Sequence, residues 1–368
     1  MKPAEVLIIG GGPAGLCAAI SAAELGCKVL LADRNKKLGG QLVKQTHMFF
    51  GSEKQYASVR GIDIAGILLS KVENNENVEI LSDTTILGIY EDGVVTADQS
   101  GNYFKIRPDA IIVATGASEK TLAFPYNDLP GVYGAGAVQT LMNEYGVKPG
   151  NRVVMLGAGN IGLIVSYQLM QAGVEVAAIV DASPKIGGYL VHASKIRRMG
   201  VPIYTGHTVK EAHGTETLKG VTIWQLDDKW NPIEGTEKRF DVDVMCISVG
   251  LTPLSELLWQ AGCEMKYVNE LGGFVPVRNE DLETSVKGIF VAGDVSGVEE
   301  ASSAMVEGFL AGLSAANYLG YTIYNINEKK NDLHQQLNAL RSGPVGEKIR
   351  KGISELIFSS EAAVSKEI

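Results

Sequence analysis

The apolar positions of this chain fall in short unbroken runs rather than alternating ones, and two of those runs lead into the same succession of features. In the first, Glu5-Val6-Leu7-Ile8-Ile9 reads as a strand covered on both faces, since a half-solvated strand would alternate apolar with polar. The chain then turns through Gly10-Gly11-Gly12-Pro13-Ala14-Gly15 into a predicted helix over 16–25, rich in alanine, which Gly26 ends. A second apolar strand over 28–32 stops at Asp33. About 147 residues later the pattern recurs. A strand over 151–156 turns through Gly157-Ala158-Gly159-Asn160-Ile161-Gly162, a helix over 163–172 is closed by Gly173, and a strand over 175–180 stops at Asp181. Each copy predicts a βαβ unit with a glycine turn between its first strand and its helix.

Each copy leads into shorter strands with turn signals. They are expected over 78–81, 84–90, 93–97 and 103–107 after the first, with Asp92-Gly93 and Ser100-Gly101 as hairpin turns, and over 202–204, 220–225 and 238–240 after the second. Each half returns to a buried strand, 110–114 and 244–249, ending at Thr115-Gly116 and Val249-Gly250. A further buried strand, Gly288-Ile289-Phe290-Val291-Ala292-Gly293-Asp294, precedes a helix reaching about residue 319, so the chain is expected to rejoin its first domain near residue 275. The predicted fold class is α/β: two Rossmann-like dinucleotide-binding domains (three-layer ββα), the second inserted into the first, plus a C-terminal helical hairpin. The expected boundaries are 1–120 with 275–325, 121–274, and a tail over 326–368. In that tail Leu333, Leu337 and Leu340 share one helical face, and Ile349, Ile353, Leu356 and Ile357 another. Such faces need a cover, which is either the body of the protein or a partner protein.

Composition narrows the class. With 45% hydrophobic and 20% charged residues over 368 positions, the chain is ordinary globular protein of two or three domains. A net charge of −9 without a long basic run gives no footprint for nucleic acid and reads as a solvated surface. The first apolar run is too short for a secretion signal, and no apolar stretch approaches the ~20 residues of a membrane span. The expectation is a cytoplasmic protein without membrane insertion. Cys17, Cys27, Cys246 and Cys263 form no close pair and read as packed thiols, so no redox disulfide, iron–sulfur motif or metal site is expected.

The glycine turns carry the chemistry. A diphosphate is held by backbone N–H groups at a helix N-terminus, where the helix dipole favours negative charge and side chains must be absent. Gly10 and Gly157 allow the tight turn, Gly12 and Gly159 let phosphate oxygens reach the chain, and Gly15 and Gly162 let the helix pack on its strand. Asp33 and Asp181 lie 23 and 24 residues beyond the first glycine of each turn, where a carboxylate accepts hydrogen bonds from an adenosine ribose. At the second site Asp181 favours NAD over NADP, because a carboxylate repels a 2′-phosphate. Arg197-Arg198 are read as a solvated basic face rather than a 2′-phosphate site.

Gly10–Gly15, Gly39-Gly40-Gln41, Ala114-Thr115-Gly116 and Gly293-Asp294 together resemble the two-dinucleotide-domain flavoprotein family, which includes thioredoxin reductase, lipoamide dehydrogenase and NADH oxidases, over roughly residues 1–325. The resemblance implies FAD in the first domain and NAD(H) as cosubstrate in the second, with NADP less favoured. The FAD set it implies is Gly10, Gly12, Pro13, Ala14, Gly15, Asp33, Arg34, Gly40, Gln41, Thr46, Ala114, Thr115, Gly116, Gly293, Asp294, Ser302 and Ser303. Asp33 would bind the adenosine ribose, Gln41 would lie beside the isoalloxazine, Asp294 would hydrogen-bond the ribityl chain or flavin phosphate, and the helix turn at Ser302 and Ser303 would face flavin N1 and O2. The NAD set is Gly157, Gly159, Asn160, Ile161, Gly162 and Asp181. The disulfide reductases of the family need a cysteine pair beside the flavin, and this chain has none. With Lys44-Gln45-Thr46-His47 and Leu340-Arg341-Ser342-Gly343-Pro344, the chain is more narrowly similar to the NAD-domain-bearing flavoprotein subunits of heteromeric dehydrogenases, of the sarcosine oxidase, opine oxidase and hydrogen cyanide synthase type. That implies an oligomer whose partner is a second flavoprotein or an iron–sulfur protein.

Hydride transfer between NAD(H) and a flavin asks little of side chains, because the cofactors carry the reaction and the protein orients them. His47 follows the Gly-Gly-Gln segment and is open to a flavin- or substrate-facing role or a structural one. Tyr189 and His192 are expected to pack or to edge the nucleotide. Two other readings stand beside membership of a dehydrogenase complex. One is a stand-alone NAD(P)H oxidase or dehydrogenase, and the other a nucleotide-binding scaffold without turnover at its second site.

Overall fold

The computed structural model describes residues 2–358, which divide into two compact units, one running to Ser118 and resuming at Leu251, the other Glu119–Gly250. The first unit begins β1 (Lys2–Ile9), α1 (Pro13–Glu24), β2 (Val29–Ala32), α2 (Gly61–Glu73), β3 (Val78–Leu81), β4 (Thr84–Ile89), β5 (Val95–Gln99) and β6 (Asn102–Val113), with β7 (Ala117–Glu119) where the chain crosses over. The second contains β8 (Val132–Gly134), α3 (Ala135–Asn143), β9 (Arg152–Leu156), α4 (Asn160–Gln171), β10 (Glu175–Asp181), α5 (Leu190–Arg198), β11 (Ile203–Thr205), β12 (His207–Gly214), β13 (Leu218–Gln225), β14 (Lys238–Phe240) and β15 (Val244–Ile247). The first then resumes with β16 (Leu251–Pro253), α6 (Glu256–Gln260), β17 (Met265–Val268), β18 (Gly273–Pro276), β19 (Ile289–Val291), α7 (Ala301–Tyr318), α8 (Ile326–Leu340) and α9 (Gly343–Ser354).

Each unit is a parallel sheet with helices on one face and an antiparallel meander on the other. In the first unit the order is β3-β2-β1-β6, with β19 also on β6 and the meander β6-β5-β4 continuing from it. In the second, β11-β10-β9-β15-β8 is wholly parallel and β12-β13-β14 forms the meander. Covering both faces explains the unbroken apolar runs. Along β1, Val6 and Ile8 enter the core beneath α1, α2 and α7, whereas Leu7 and Ile9 enter the core beneath the meander. Val153 and Met155 of β9 face one core of the second unit, and Val154 and Leu156 face the other.

The α/β architecture with Rossmann-like units is as the sequence predicts; several details differ. The strands expected over 103–107 and 110–114 are one strand, β6, which passes straight through Pro108. Its pairing with β5 ends at Ile106 and its pairing with β19 begins at Ile111, so proline's missing N–H falls where that edge of β6 changes partner. β12 has no counterpart among the expected strands because its sequence, His-Thr-Val-Lys-Glu-Ala-His-Gly, breaks alternation at a register shift between Val209 and Glu211. The chain rejoins the first unit at Leu251, earlier than residue 275. The tail packs on the body: Leu333, Leu337 and Leu340 join the helix-side core of the first unit, and Ile349, Ile353 and Leu356 pack on Val268, Leu271 and Val275. Ile357, assigned to the same face, is instead 39% exposed, and residues 359–368 of the expected tail lie outside the described residues. No helix among the described residues is long and apolar enough to cross a membrane.

Candidate functional site

Both glycine turns have the geometry their sequence requires. Gly10 and Gly157 take φ of 108° and 112°, a region that L side chains rarely adopt. A Cβ on either would strike a carbonyl, of Ala114 and Ser248 respectively. A Cβ on Gly15 or Gly162 would strike the carbonyl of Gly10 or Gly157, which closes the helix onto the turn. Gly12 and Gly159 are the N-caps of α1 and α4 and, as glycines, offer neither helix a capping side chain. Pro13 at the first position of α1 has no N–H to satisfy. A Cβ built on Gly159 meets nothing within 4 Å, and one on Gly12 meets only the Gly40 Cα at 3.8 Å. Open space over an uncapped helix start is what a diphosphate needs.

The acids answer these turns directly. Asp33, 7% exposed, accepts from Gly11 N–H through Oδ2 at 2.6 Å and from Asn35 N–H through Oδ1 at 2.7 Å. Asp181 repeats this, with Oδ2 accepting from Ala158 N–H at 2.6 Å and Oδ1 from Ser183 N–H at 2.8 Å. A carboxylate has about four lone-pair sites, so each acid retains capacity for a sugar hydroxyl. The repeat extends further than the turns. Gly39 N–H donates to Gly11 C=O at 2.7 Å, and Gly188 N–H donates to Ala158 C=O at 2.9 Å. Gly40, at φ 54° and with its would-be Cβ 2.7 Å from the Gly12 Cα, lies against the first turn.

Around the first turn the structure gathers Gly10, Gly12, Ala14, Gly15, Asp33, Gly40, Ala114 and Gly293; the Gly293 Cβ position is 2.9 Å from the Ala14 Cβ. Thr115 Oγ1 donates to Leu254 C=O at 2.7 Å, and Gly116 has φ 77°, so Thr115 joins the departing chain to the returning one. Ser302 and Ser303 lie buried in the first turn of α7. Arg34 and Gln41 are exposed. Thr46 lies farther along, its carbonyl accepting from Arg60 Nη1 at 2.6 Å, and His47 stacks on Phe49 at 5.8 Å. In the second unit Asn160 Oδ1 accepts from Tyr189 N–H at 2.8 Å, Ile161 is 40% exposed, and Tyr189 and His192 form a tilted aromatic pair.

Asp294 is half-buried, and loss of solvent around its carboxyl pushes it up to about 7, reinforced by Glu299, Glu307 and Glu300 and opposed by the Glu299 N–H that it accepts. Beside it lies a cluster of buried ions whose role the sequence did not declare. Glu307 Oε2 accepts from Gly293 N–H at 2.9 Å and from Ser296 Oγ at 3.0 Å. Its Oε1 accepts from Arg341 Nη2 at 2.6 Å and from Arg278 Nη2 at 3.4 Å. The available signal was a single charge, Glu307, within the otherwise small and apolar helix α7. All four cysteines are buried; burial raises Cys17 and Cys246 strongly, and Cys27 and Cys263 to about 11, so none is a ready thiolate.

A family profile described as pyridine nucleotide-disulphide oxidoreductase matches residues 4–308. An opine oxidase subunit from Agrobacterium tumefaciens (strain Ach5) is 28% identical over 329 residues, covering 84% of this chain and 65% of that protein. The alpha subunit of sarcosine oxidase from Corynebacterium sp. (strain P-1) is 28% identical over 337 residues, covering 86% of this chain and 33% of its own length. The chain thus spans less than two thirds of either of these curated relatives. Among solved structures, thioredoxin reductase of T. acidophilum superposes with a TM-score of 0.72 at 24% identity, over 86% of this chain and 99% of the other.

Proposed function

Because the chain belongs to the pyridine nucleotide-disulphide oxidoreductase family, whose members use FAD and NAD(P)H, we propose that it is the nicotinamide-linked flavoprotein subunit of a heteromeric amino-acid or amine dehydrogenase, with FAD on the first glycine turn and NAD(H) on the second. The observation that carries this reading is the doubled turn, each copy left uncapped and answered by an acid. The residues present fit the groups: the Gly12 and Gly159 positions leave room for phosphate. When bound, FAD supplies the two-electron acceptor and NAD(H) the hydride.

This chain's residues then bind and orient. The N–H groups at the start of α1 receive the FAD diphosphate, and Asp33 grips its ribose. Asp294, with a carboxyl near 7, keeps its proton below that pH and can then donate a hydrogen bond to the bound cofactor. The start of α7 directs its dipole to where negative charge gathers on reduction. Four buried thiols without a pair leave no disulfide relay, so the electrons go to or come from another carrier. The names of the two relatives, each a subunit of an oxidase, support a carrier on a partner protein.

Purified protein is expected to bind FAD, and NADH is expected to bleach its visible flavin band in a stopped-flow experiment. No spectral change with either NADH or NADPH would remove the proposed reaction. Slow turnover of the isolated chain with oxygen is expected; rapid turnover favours a stand-alone oxidase instead.

A further inference from the structure

We propose that Arg341, in the C-terminal tail beyond the region the family profile matches, is a positioning residue for the turn that carries Gly293 and Asp294. This rests on the reading above that this turn faces FAD. Arg341 follows α8 and is 8% exposed. Its Nε and Nη2 grip the Glu299 carboxylate at 2.7–3.1 Å, and Nη2 also reaches Glu307 Oε1 at 2.6 Å. These two carboxylates bracket the turn. Glu307 holds it from within α7 through Gly293 N–H and Ser296 Oγ. The backbone N–H of Glu299 donates to Asp294 Oδ1 at 3.3 Å. One guanidinium therefore fixes both ends of the segment through its fork of donors.

The neighbouring cation cannot take over this task. Arg278 Nη2 stands 3.4 Å from Glu307, and its Nε is buried with no hydrogen-bond partner among the described residues. Burial lowers the Arg278 guanidinium, whereas Arg341 is raised against its own burial by Glu307 and Glu299. Arg341 is itself held in place, since its carbonyl accepts from Arg350 Nη1 on α9. Removing Arg341 leaves two buried carboxylates with one poorly placed cation, which either take up protons or move apart. Both outcomes disturb the turn at Asp294.

The test compares wild type, Arg341→Met and Arg341→Lys in the full chain, by FAD titration, flavin midpoint potential and KM for NADH. The Met variant is expected to bind FAD at least about ten-fold more weakly, with a more negative flavin potential and an unchanged KM for NADH. The Lys variant is expected to recover part of the affinity, because it restores charge without the fork. A Met variant that melts lower but keeps wild-type FAD affinity and potential overturns the role. Should Met prove insoluble, Lys alone decides, and wild-type affinity and potential in it are equally fatal. Wild-type protein that takes up no FAD overturns the flavin reading and this role with it, whereas failure in the variants alone leaves that reading standing.

Discussion

The two glycine turns of this protein are nearly the same in backbone and differ in what lies behind them. α1 is buried along most of its length because α7 lies against it. The Gly308 and Gly312 positions touch the Ala14 and Ala18 carbonyls, leaving no room for side chains. α4 is only half-buried, and the residues beyond its turn, Tyr189 at 41% and Leu190 at 80%, are open to solvent. Asp33 is buried and Asp181 is half-buried. A resident cofactor and an exchanging cosubstrate ask for this difference: the first must be enclosed, the second must come and go. On the proposed function, the same phosphate chemistry would serve two residence times, set by the packing around it.

Substituting matching glycines should separate the two sites most strongly. Gly15→Ala presses a methyl onto the Gly10 carbonyl. It is expected to destabilise the fold by about 1–3 kcal/mol and to yield protein without bound flavin, as read by thermal melting and absorbance. Gly159→Val projects into open space, so its stability should fall by no more than about 1 kcal/mol, the cost of a poorer N-cap. It should retain FAD, yet raise KM for NADH by about ten-fold or more, equivalent to ~1.4 kcal/mol. Loss of flavin in Gly159→Val would erase the distinction between the sites.

Substituting the acids should separate the sites by a smaller amount. Asp33→Ala strands the buried Gly11 N–H and the part-buried Asn35 N–H, and hydrogen bonds to charged groups contribute about 1.5–3 kcal/mol each. The same change at half-buried Asp181 should cost less stability and shift preference toward NADPH, visible in the ratio of kcat/KM for the two nucleotides. Equal melting losses at both positions would count against a more enclosed first site.

The smallest effect is a pH dependence belonging to the first unit. Asp294 has its carboxyl raised from about 4 to about 7. Between those values the unfolded chain has released this proton and the folded chain has kept it. Stability of the FAD-free protein therefore falls as pH rises from about 4 to about 7, then levels off. Asp294→Asn should flatten that slope and melt higher than wild type at pH above 7. An unchanged slope in the variant would place the proton elsewhere.

How much of this was legible in the sequence follows from the range of each interaction. The βαβ units were readable because a strand covered on both faces is an unbroken apolar run, and because Gly10, Gly15, Gly157 and Gly162 lie in a glycine spacing that a strand-to-helix turn imposes locally. Asp33 and Asp181 were readable because the length of one helix fixes the spacing from turn to acid. β6 reads as two strands because Pro108 ends a strand only when its N–H is needed, and here partners change at that point. Glu307, Arg278 and Arg341 were invisible as a group. They come from three separated segments, and nothing local in any of them signals the other two.

The interrupted first unit carries a consequence for synthesis. The inserted residues Glu119–Gly250 are contiguous, so they can finish folding on the ribosome while β19 and α7 are still untranslated. Until then the nascent β1–α1 segment exposes the faces that those late elements will cover, making the half-built host, rather than the insert, the stage at which a chaperone would engage.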